Sequence, residues 1–232
     1  MNLDAVGRAV DLGLCFDLDG VLWNTWDAHS RAFAEICAAE GLRALPYETL
    51  AGRTTVDAWR MILEANQRAL DGDWIGRLTA EKQQLARRRL ECHPPLYDDV
   101  GILDGLAGAP VATALISGSS AATVRIFLDA VAPIHRFDVV ITAESVVRGK
   151  PAPDPYTQAA RVLALEPSRC WVLEDSTSGL QSGLAAGMRT VHLVRRGGCG
   201  LEHEAAAGCV HDLAGFFAVA GIGDRVQSAE VR

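Results

Sequence analysis

The sequence has no long apolar run, no lysine-rich segment and no paired cysteines of the C-x-x-C type. A membrane-spanning helix needs about 20 consecutive apolar residues, and the N-terminus lacks the basic-then-apolar pattern of a signal peptide. The net charge of −7 disfavours a nucleic-acid partner, because nucleic acids attract positively charged proteins. We therefore expect neither a membrane nor a nucleic acid among its partners.

The six cysteines show no spacing typical of a zinc site. Cys15 and Cys170 lie in apolar, strand-like segments, where a thiol behaves as a small hydrophobic side chain. Hydrophobic residues make up 49% of the chain, and its 232 residues suffice to bury a core without disulfides or a structural metal. This pattern predicts a protein of the reducing cytoplasm.

Five short apolar segments have the length and continuity of buried strands: residues 12–16, 111–116, 138–143, 170–174 and 190–194. Helical patterns lie between most of them, at residues 119–130, 154–165 and 176–186. Strands that are apolar throughout are typical of a parallel sheet with helices on both faces. The predicted fold class is therefore α/β, with a Rossmann-like, doubly wound parallel sheet as its core.

The stretch from residue 26 to residue 93 interrupts this alternation. It contains no convincing strand and three helical patterns, at residues 28–40, 54–70 and 74–91. In the first pattern, four side chains share one face at helical spacing: His29, Phe33, Ile36 and Cys37. Pro94 and Pro95 end the stretch, because proline stops a helix. We predict a core domain of residues 1–25 and 95–232, with a helical cap domain, residues 26–94, inserted after the first strand.

Chemically active side chains follow four of the predicted strands: the pair Asp17 and Asp19, the segment Ser117-Gly118-Ser119-Ser120, Lys150 in a proline-rich loop, and the pair Glu174 and Asp175. Each has a structural alternative: an Asp-Gly turn, a Ser119 or Ser120 helix cap, an exposed lysine, or an acidic helix start. Ligands bind at the carboxyl ends of strands in such sheets. One shared site therefore explains the pattern better than four separate coincidences.

The charges of these segments predict a cation and a phosphate at that site. Carboxylates at the end of a buried strand must be paired, hydrogen-bonded or bound to a metal, and two acidic pairs repel unless a cation lies between them. Oxygen ligands without histidine or cysteine suit Mg²⁺. Hydroxyls, backbone N–H groups and a helix dipole favour a phosphate beside Ser117, and the prolines hold the charge of Lys150 in place.

At these motifs the chain resembles the haloacid dehalogenase superfamily, over nearly its whole length and with the four segments in the same order. Residues 16–22, 149–154 and 173–188 carry the most specific similarity. The helical insert resembles the small cap of the branch that contains β-phosphoglucomutase and phosphoglycolate phosphatase.

The resemblance implies a role for each matching residue. Asp17 would attack phosphorus as the nucleophile, and Asp19 would protonate the leaving oxygen and then activate water. Four residues would hold Mg²⁺: Asp17, Asp19 through its backbone carbonyl, Glu174 and Asp175. The phosphoryl group would be bound by Ser117, Gly118, Ser119 and Lys150. The dehalogenases lack a second aspartate at the position of Asp19, so its presence indicates phosphate ester chemistry.

Candidates for contact with the rest of the substrate are Thr25, His29 and Arg53. His29 matches a histidine near the substrate of the mutase-like relatives, or it is a half-buried structural residue on the apolar face of its helix. Arg53 lies in a segment similar to a cap loop that reaches the substrate, or it only precedes a helix capped by Thr54 or Thr55. Two tryptophans either pack between the domains or narrow the entrance: Trp23 and Trp26.

The predicted function is a Mg²⁺-dependent phosphatase that acts on a small phosphorylated metabolite, such as a sugar phosphate, through an aspartyl-phosphate intermediate. The alternative is a β-phosphoglucomutase-like transferase, which would use the same intermediate but exclude water. A non-catalytic binding protein of the same fold is a third interpretation, which the intact acids and Lys150 disfavour.

Overall fold

The structure is a computed structural model that describes residues 10–51, 53–92, 96–195 and 206–223. Its strands are β1 (Leu12–Asp17), β2 (Val111–Ile116), β3 (Val139–Ile141), β4 (Cys170–Glu174), β5 (Arg189–Leu193) and β6 (Gly208–Val210). Every neighbouring pair is parallel, and the spatial order is β3-β2-β1-β4-β5-β6. The predicted α/β fold with a parallel sheet is confirmed.

Helices connect most of these strands. They are α1 (Trp26–Ala39), α2 (Thr55–Ala65), α3 (Gly72–Cys92), α4 (Ala121–Val131), α5 (Asp154–Leu163), α6 (Thr177–Ala185) and α7 (Leu213–Val219). Within the described ranges, none of the helices combines the length and the apolar character that crossing a membrane requires. The chain divides into two compact units: Met1–Trp23 with Leu96–Arg232, and Asn24–Pro95.

The central strand β1 is buried because side chains cover both faces of the sheet around it. On one face, the Phe16 ring packs edge-on against Phe137 and Phe216, at centroid distances of 6.2 and 5.6 Å. On the other face, Cys15 belongs to a buried cluster with Tyr156 of α5. Successive side chains of a strand point to opposite faces, so Asp17 shares the face of Cys15.

Several elements differ from the sequence-based prediction, among them β6, α2 and α7, a helix that was not predicted. Strand β6 was not predicted, because it has three residues of which only Val210 is buried, so it lacks an apolar run. Helix α2 ends at Ala65 instead of continuing to residue 70. It stops there because Gln67 has a positive φ of 54° and the Asn66 side chain donates hydrogen bonds to the carbonyl oxygens of Arg43 and Ile62.

The second unit consists of α1, α2, α3 and their connections and has its own apolar core. Trp59 of α2 lies at the centre of this core, with its ring 4.9 Å from that of Phe33 on α1. Trp23 belongs to the first unit, where its ring packs 5.8 Å from Phe127. Pro94 and Pro95, the predicted return point, lie outside the described residues.

Gly183 of α6 gives a test of how tightly this helix packs on the sheet. A Cβ at Gly183 would lie 2.7 Å from Thr190 Oγ1 and 3.2 Å from Val172 Cγ1. We expect Gly183→Ala to lower the free energy of unfolding by about 1–3 kcal/mol, because the added methyl overpacks the interface. Urea unfolding of the variant and the wild type measures this difference.

The matched control is Gly76→Ala in α3, where a Cβ would meet nothing within 4 Å. Alanine should stabilise this position by about 0.5–1 kcal/mol, because it reduces the entropy of the unfolded chain. Equal effects of the two substitutions would contradict the close approach of α6 to β4 and β5.

Candidate active site

Asp17 ends the central strand at the level where its two neighbouring strands also end. It pairs with Ile116 of β2, and Phe16 pairs with Leu173 of β4. Ser117 follows β2 directly, and Glu174 is the last residue of β4. The register therefore brings these side chains to the carboxyl edge of the sheet, the usual location of ligands in this architecture.

The ammonium group of Lys150 is buried between two carboxylates at this edge. Its side chain is 11% exposed, and Nζ donates hydrogen bonds to Asp17 Oδ1 and Glu174 Oε1. Burial alone lowers the pKa of Lys150, but the two carboxylates outweigh it and hold that pKa above its ordinary value. Lys150 is therefore a permanent positive charge within the site.

The Glu174 carboxylate is fully buried and accepts hydrogen bonds at both oxygens. Its Oε1 accepts from Lys150 Nζ and from the Tyr156 hydroxyl at 2.7 Å, and its Oε2 accepts from Ser176 N–H at 3.4 Å and Ser176 Oγ at 3.1 Å. Gly179 of α6 leaves room for it, since a Cβ there would lie 1.9 Å from the carboxyl carbon. Burial and the Glu174 charge raise the pKa of Tyr156, so its hydroxyl stays protonated.

Burial and the surplus of negative over positive charge at the site both raise the pKa values of Asp17 and Asp175. Burial and the charge of Glu174 raise the pKa of Asp17 well above its ordinary value, and Lys150 offsets only part of this rise. The same two causes raise the pKa of Asp175 to about 8. Gly20, with a φ of +87°, lies against Asp175, because a Cβ at Gly20 would be 1.9 Å from Asp175 Oδ2.

These acids fit a hard divalent cation. Asp17, Glu174 and Asp175 each offer a carboxylate oxygen, and the three atoms lie within 4.8 Å of one another. Oxygen donors without histidine or cysteine are the ligands that Mg²⁺ prefers. A cation there would also relieve the repulsion that raises the pKa values of Asp17 and Asp175. The Asp19 side chain is not part of this group of three.

The serine loop after β2 holds Asp19. Ser119 Oγ donates to Asp19 Oδ2 at 3.1 Å, and Ser117 Oγ donates to the same atom at 3.4 Å. The Ser119 N–H donates to Ser117 Oγ at 2.9 Å, and Gly118 is exposed between them. Ser120 is the N-cap of α4, where its hydroxyl accepts from the Thr123 N–H. Ser120 therefore supplies the structural cap, which leaves Ser119 to contact the acid.

Three of the predicted substrate residues belong to the second unit: Thr25, His29 and Arg53. Thr25 is buried and precedes α1 without a side-chain capping hydrogen bond. Arg53 is exposed, and its Nε donates to the Thr49 carbonyl at 3.2 Å. Thr54 caps α2 by accepting from the Asp57 N–H, so Arg53 does stand at a helix entry. Gly52, beside it in the predicted cap loop, lies outside the described residues.

Two polar residues that contact predicted site residues were not identified by the sequence analysis. One is Tyr156 of α5, whose hydroxyl donates to Glu174. Lys82 lies in the polar sequence of α3, yet it is 5% exposed, with Nζ 2.9 Å from His29 Nδ1 and 4.7 Å from the Phe33 ring. The spacing of Lys82 from the buried positions Ile75, Leu78 and Ala86 was the available signal.

Comparison with known proteins gives a consistent set of similarities. A sequence profile of the haloacid dehalogenase-like hydrolases matches residues 14–193. The chain is 33% identical over 185 residues to fructose-1-phosphate phosphatase YqaB of Escherichia coli, covering 77% of this chain and 94% of the relative. It is 31% identical over 182 residues to hexitol phosphatase A of the same bacterium, covering 77% and 81% of the two chains. A crystal structure of β-phosphoglucomutase from Clostridium difficile is similar in fold, with a TM-score of 0.72, 19% identity and coverage of 96% and 100%.

The raised pKa of Asp175 predicts that the metal-free protein loses stability as the pH rises. The folded state keeps this proton up to about pH 8, whereas the unfolded chain releases it at the lower ordinary pKa. The folded state therefore binds more protons between those two pKa values, and the free energy of unfolding falls with increasing pH, by at most about 1.4 kcal/mol per pH unit for one proton.

Urea unfolding in the presence of a chelator, from about pH 6 to pH 9, measures this slope. Asp175→Asn should reduce the slope, whereas Asp129→Asn, on an exposed face of α4, should leave it unchanged. A slope that is identical in the wild type and Asp175→Asn would contradict the assignment.

Proposed function

This chain belongs to the haloacid dehalogenase-like hydrolases, and we propose that it is a Mg²⁺-dependent phosphatase of a small phosphorylated metabolite. The observation that carries the proposal is that two aspartates, Asp17 and Asp19, lie at one edge of the sheet in different environments. Asp17 is buried against Lys150 and Glu174, whereas Asp19 is half-buried and held by Ser117 and Ser119. These two environments support Asp17 as the nucleophile and Asp19 as the proton carrier.

In the proposed reaction, the Asp17 carboxylate attacks phosphorus while the bond to the leaving oxygen breaks. Asp19 gives its proton to that oxygen, so the alcohol leaves uncharged and Asp17 carries the phosphoryl group. Asp19 then takes a proton from a water molecule that attacks the same phosphorus, while the bond between the Asp17 oxygen and phosphorus breaks. Inorganic phosphate is released, and both aspartates return to their starting states.

Phosphoryl transfer depends mainly on positioning and on neutralising charge, and several groups of the chain supply these. Lys150 brings a permanent positive charge within reach of the nucleophile. The serine loop offers the hydroxyls of Ser117 and Ser119 and the exposed backbone of Gly118 to the phosphoryl oxygens. Asp17, Glu174 and Asp175, with the Asp19 carbonyl, would hold Mg²⁺, which when bound neutralises phosphoryl charge as a Lewis acid.

A sugar phosphate is the substrate class that the relatives favour. Two phosphatases named for fructose-1-phosphate and for hexitol phosphates each match about three quarters of this chain. We propose that the second unit is a cap and that Thr25, His29 and Arg53 contact the part of the substrate beyond the phosphate. The buried free thiols of Cys15, Cys37 and Cys170 suit an enzyme of the reducing cytoplasm.

A phosphomutase is the second candidate, and His29 favours it. The resemblance to the mutase-like relatives implies that this residue corresponds to a histidine near their substrate, and its Nδ1 lies 2.9 Å from the buried ammonium of Lys82. A mutase would use the same aspartyl-phosphate but return the phosphoryl group to the sugar instead of to water.

The nucleophile assignment predicts the effect of Asp17→Asn. An amide cannot attack phosphorus as a carboxylate does, so kcat/KM should fall on the order of 10³-fold or more. Release of inorganic phosphate from fructose-1-phosphate, with Mg²⁺ present, measures the change. The control is Asp129→Asn, which alters an exposed ion pair with Arg125 and should leave the rate unchanged. Retained turnover in Asp17→Asn would overturn the mechanism.

The choice between phosphatase and mutase predicts different products from a panel of phosphoesters. We expect release of inorganic phosphate from fructose-1-phosphate or a hexitol phosphate, and loss of that release when a chelator removes Mg²⁺. Product analysis with β-glucose-1-phosphate provides the comparison. Conversion to glucose-6-phosphate with little free phosphate would identify a mutase instead. Inactivity on the whole panel, with no beryllofluoride bound at Asp17, would favour a non-catalytic role.

A further inference from the structure

Tyr156 is the one tyrosine of α5, and its side chain is completely buried beneath the candidate site. Its hydroxyl donates to Glu174 Oε1 at 2.7 Å. A tyrosine hydroxyl has one hydrogen to donate, and Tyr156 gives it to this carboxylate. We propose that Tyr156 is a positioning residue that fixes Glu174 for cation binding, so that loss of its hydroxyl weakens the affinity for Mg²⁺.

Each of the two carboxylate oxygens of Glu174 has its own set of hydrogen-bond donors. Ser176 binds Oε2 through its N–H and its hydroxyl, and both groups come from the start of α6. Lys150 and Tyr156 bind Oε1, from the opposite side of the carboxylate. A carboxylate held at both oxygens cannot rotate about its terminal torsion without breaking hydrogen bonds. The direction of its lone pairs is therefore set by these donors.

Lys150 and Tyr156 are not equivalent holders of Oε1. Lys150 also donates to Asp17, and in the proposed reaction it binds the phosphoryl group, so its ammonium is shared between Glu174, Asp17 and the substrate. The Tyr156 hydroxyl gives its one hydrogen to Glu174, and its ring packs in the buried cluster with Cys15, Ala159 and Val172. Tyr156 therefore keeps Glu174 in place independently of the charge on the phosphate side.

Groups that orient a metal ligand without touching the metal typically change metal affinity 10- to 100-fold when they are removed. Tyr156→Phe tests this with little other disturbance. Phenylalanine keeps the buried ring and its contact with Lys150 Nζ, which lies 5.3 Å from the ring centroid. The substitution removes only the hydroxyl that reaches Glu174.

The experiment titrates Mg²⁺ into the metal-free protein without substrate, by isothermal titration calorimetry. We expect the Kd of Tyr156→Phe to rise about 10- to 100-fold over that of the wild type. The matched control is Tyr97→Phe in the same unit, whose ring packs 4.1 Å from the Arg195 guanidinium, a contact that phenylalanine retains. Its Kd should stay within about twofold of the wild type, because it has no place in the donor set of Glu174.

The outcomes separate this inference from the proposed function, on which it rests for the identity of the cation. A wild type that binds Mg²⁺ and a Tyr156→Phe variant with the same Kd would overturn the positioning role alone. A wild type that binds no Mg²⁺ would overturn both. If Tyr156→Phe does not fold, Tyr156→Met provides the same test, since it also lacks the donor and its flexible side chain adapts to a core position.

A purely structural role of Tyr156 gives a different pattern. The variant would then unfold at lower urea concentration by the same amount with and without Mg²⁺. The positioning role predicts a larger difference in the presence of Mg²⁺, because the stabilisation that a ligand gives the folded state increases with the logarithm of its affinity. Equal differences under the two conditions would contradict the proposal.

Discussion

The buried ammonium of Lys150 is the interaction around which the rest of the site is arranged. It lies between carboxylates at the ends of two adjacent strands, Asp17 of β1 and Glu174 of β4. Removing one partner of a buried ion pair is costly, because it leaves the other charge uncompensated in a medium of low dielectric constant. The ion pairs of Lys150 therefore connect the loop before α5 to both strands and fix where the two acids can lie.

One positive charge does not neutralise all the acids at this edge. Asp17, Glu174 and Asp175 lie close enough to share a cation, and burial together with the Glu174 charge raises the pKa values of Asp17 and Asp175. This surplus of negative charge suits the Mg²⁺ ion proposed for the site. Asp19 is separated from this group by its own partners, Ser117 and Ser119. Two neighbouring aspartates thus acquire different environments from two different loops.

The fold was predictable because each main strand is a continuous apolar run. Strand β2 matches its predicted range. Strand β1 is one residue longer than predicted, and that residue is Asp17, which matters most for the site. Strand β6 escaped prediction because an edge strand of three residues buries too little to leave an apolar signature. The end of α2 escaped because the left-handed conformation of Gln67 is not encoded by a glycine. The geometry of a turn depends on a few local contacts, whereas a buried strand shows itself as a run of apolar residues.

The candidate site was predictable only in part, for a related reason. Acids, serines and a lysine after apolar strands are visible in the sequence, since parallel strands deliver their carboxyl ends to one edge. The sequence did not show that Ser120 caps α4 and Ser119 contacts Asp19, because either serine can cap a helix. The assignment of Thr25, His29 and Arg53 to the substrate remains a prediction that mutagenesis must decide.

The sequence by itself determined the fold class and the family, because these follow from apolar continuity and from motif order, and it supplied the acids that we propose for the chemistry. The tertiary structure alone decided which groups touch. It placed the Tyr156 hydroxyl on Glu174 and buried Lys82 against His29, although neither residue stands out in the sequence. Such contacts join residues that are distant along the chain, and only packing brings them within hydrogen-bonding distance.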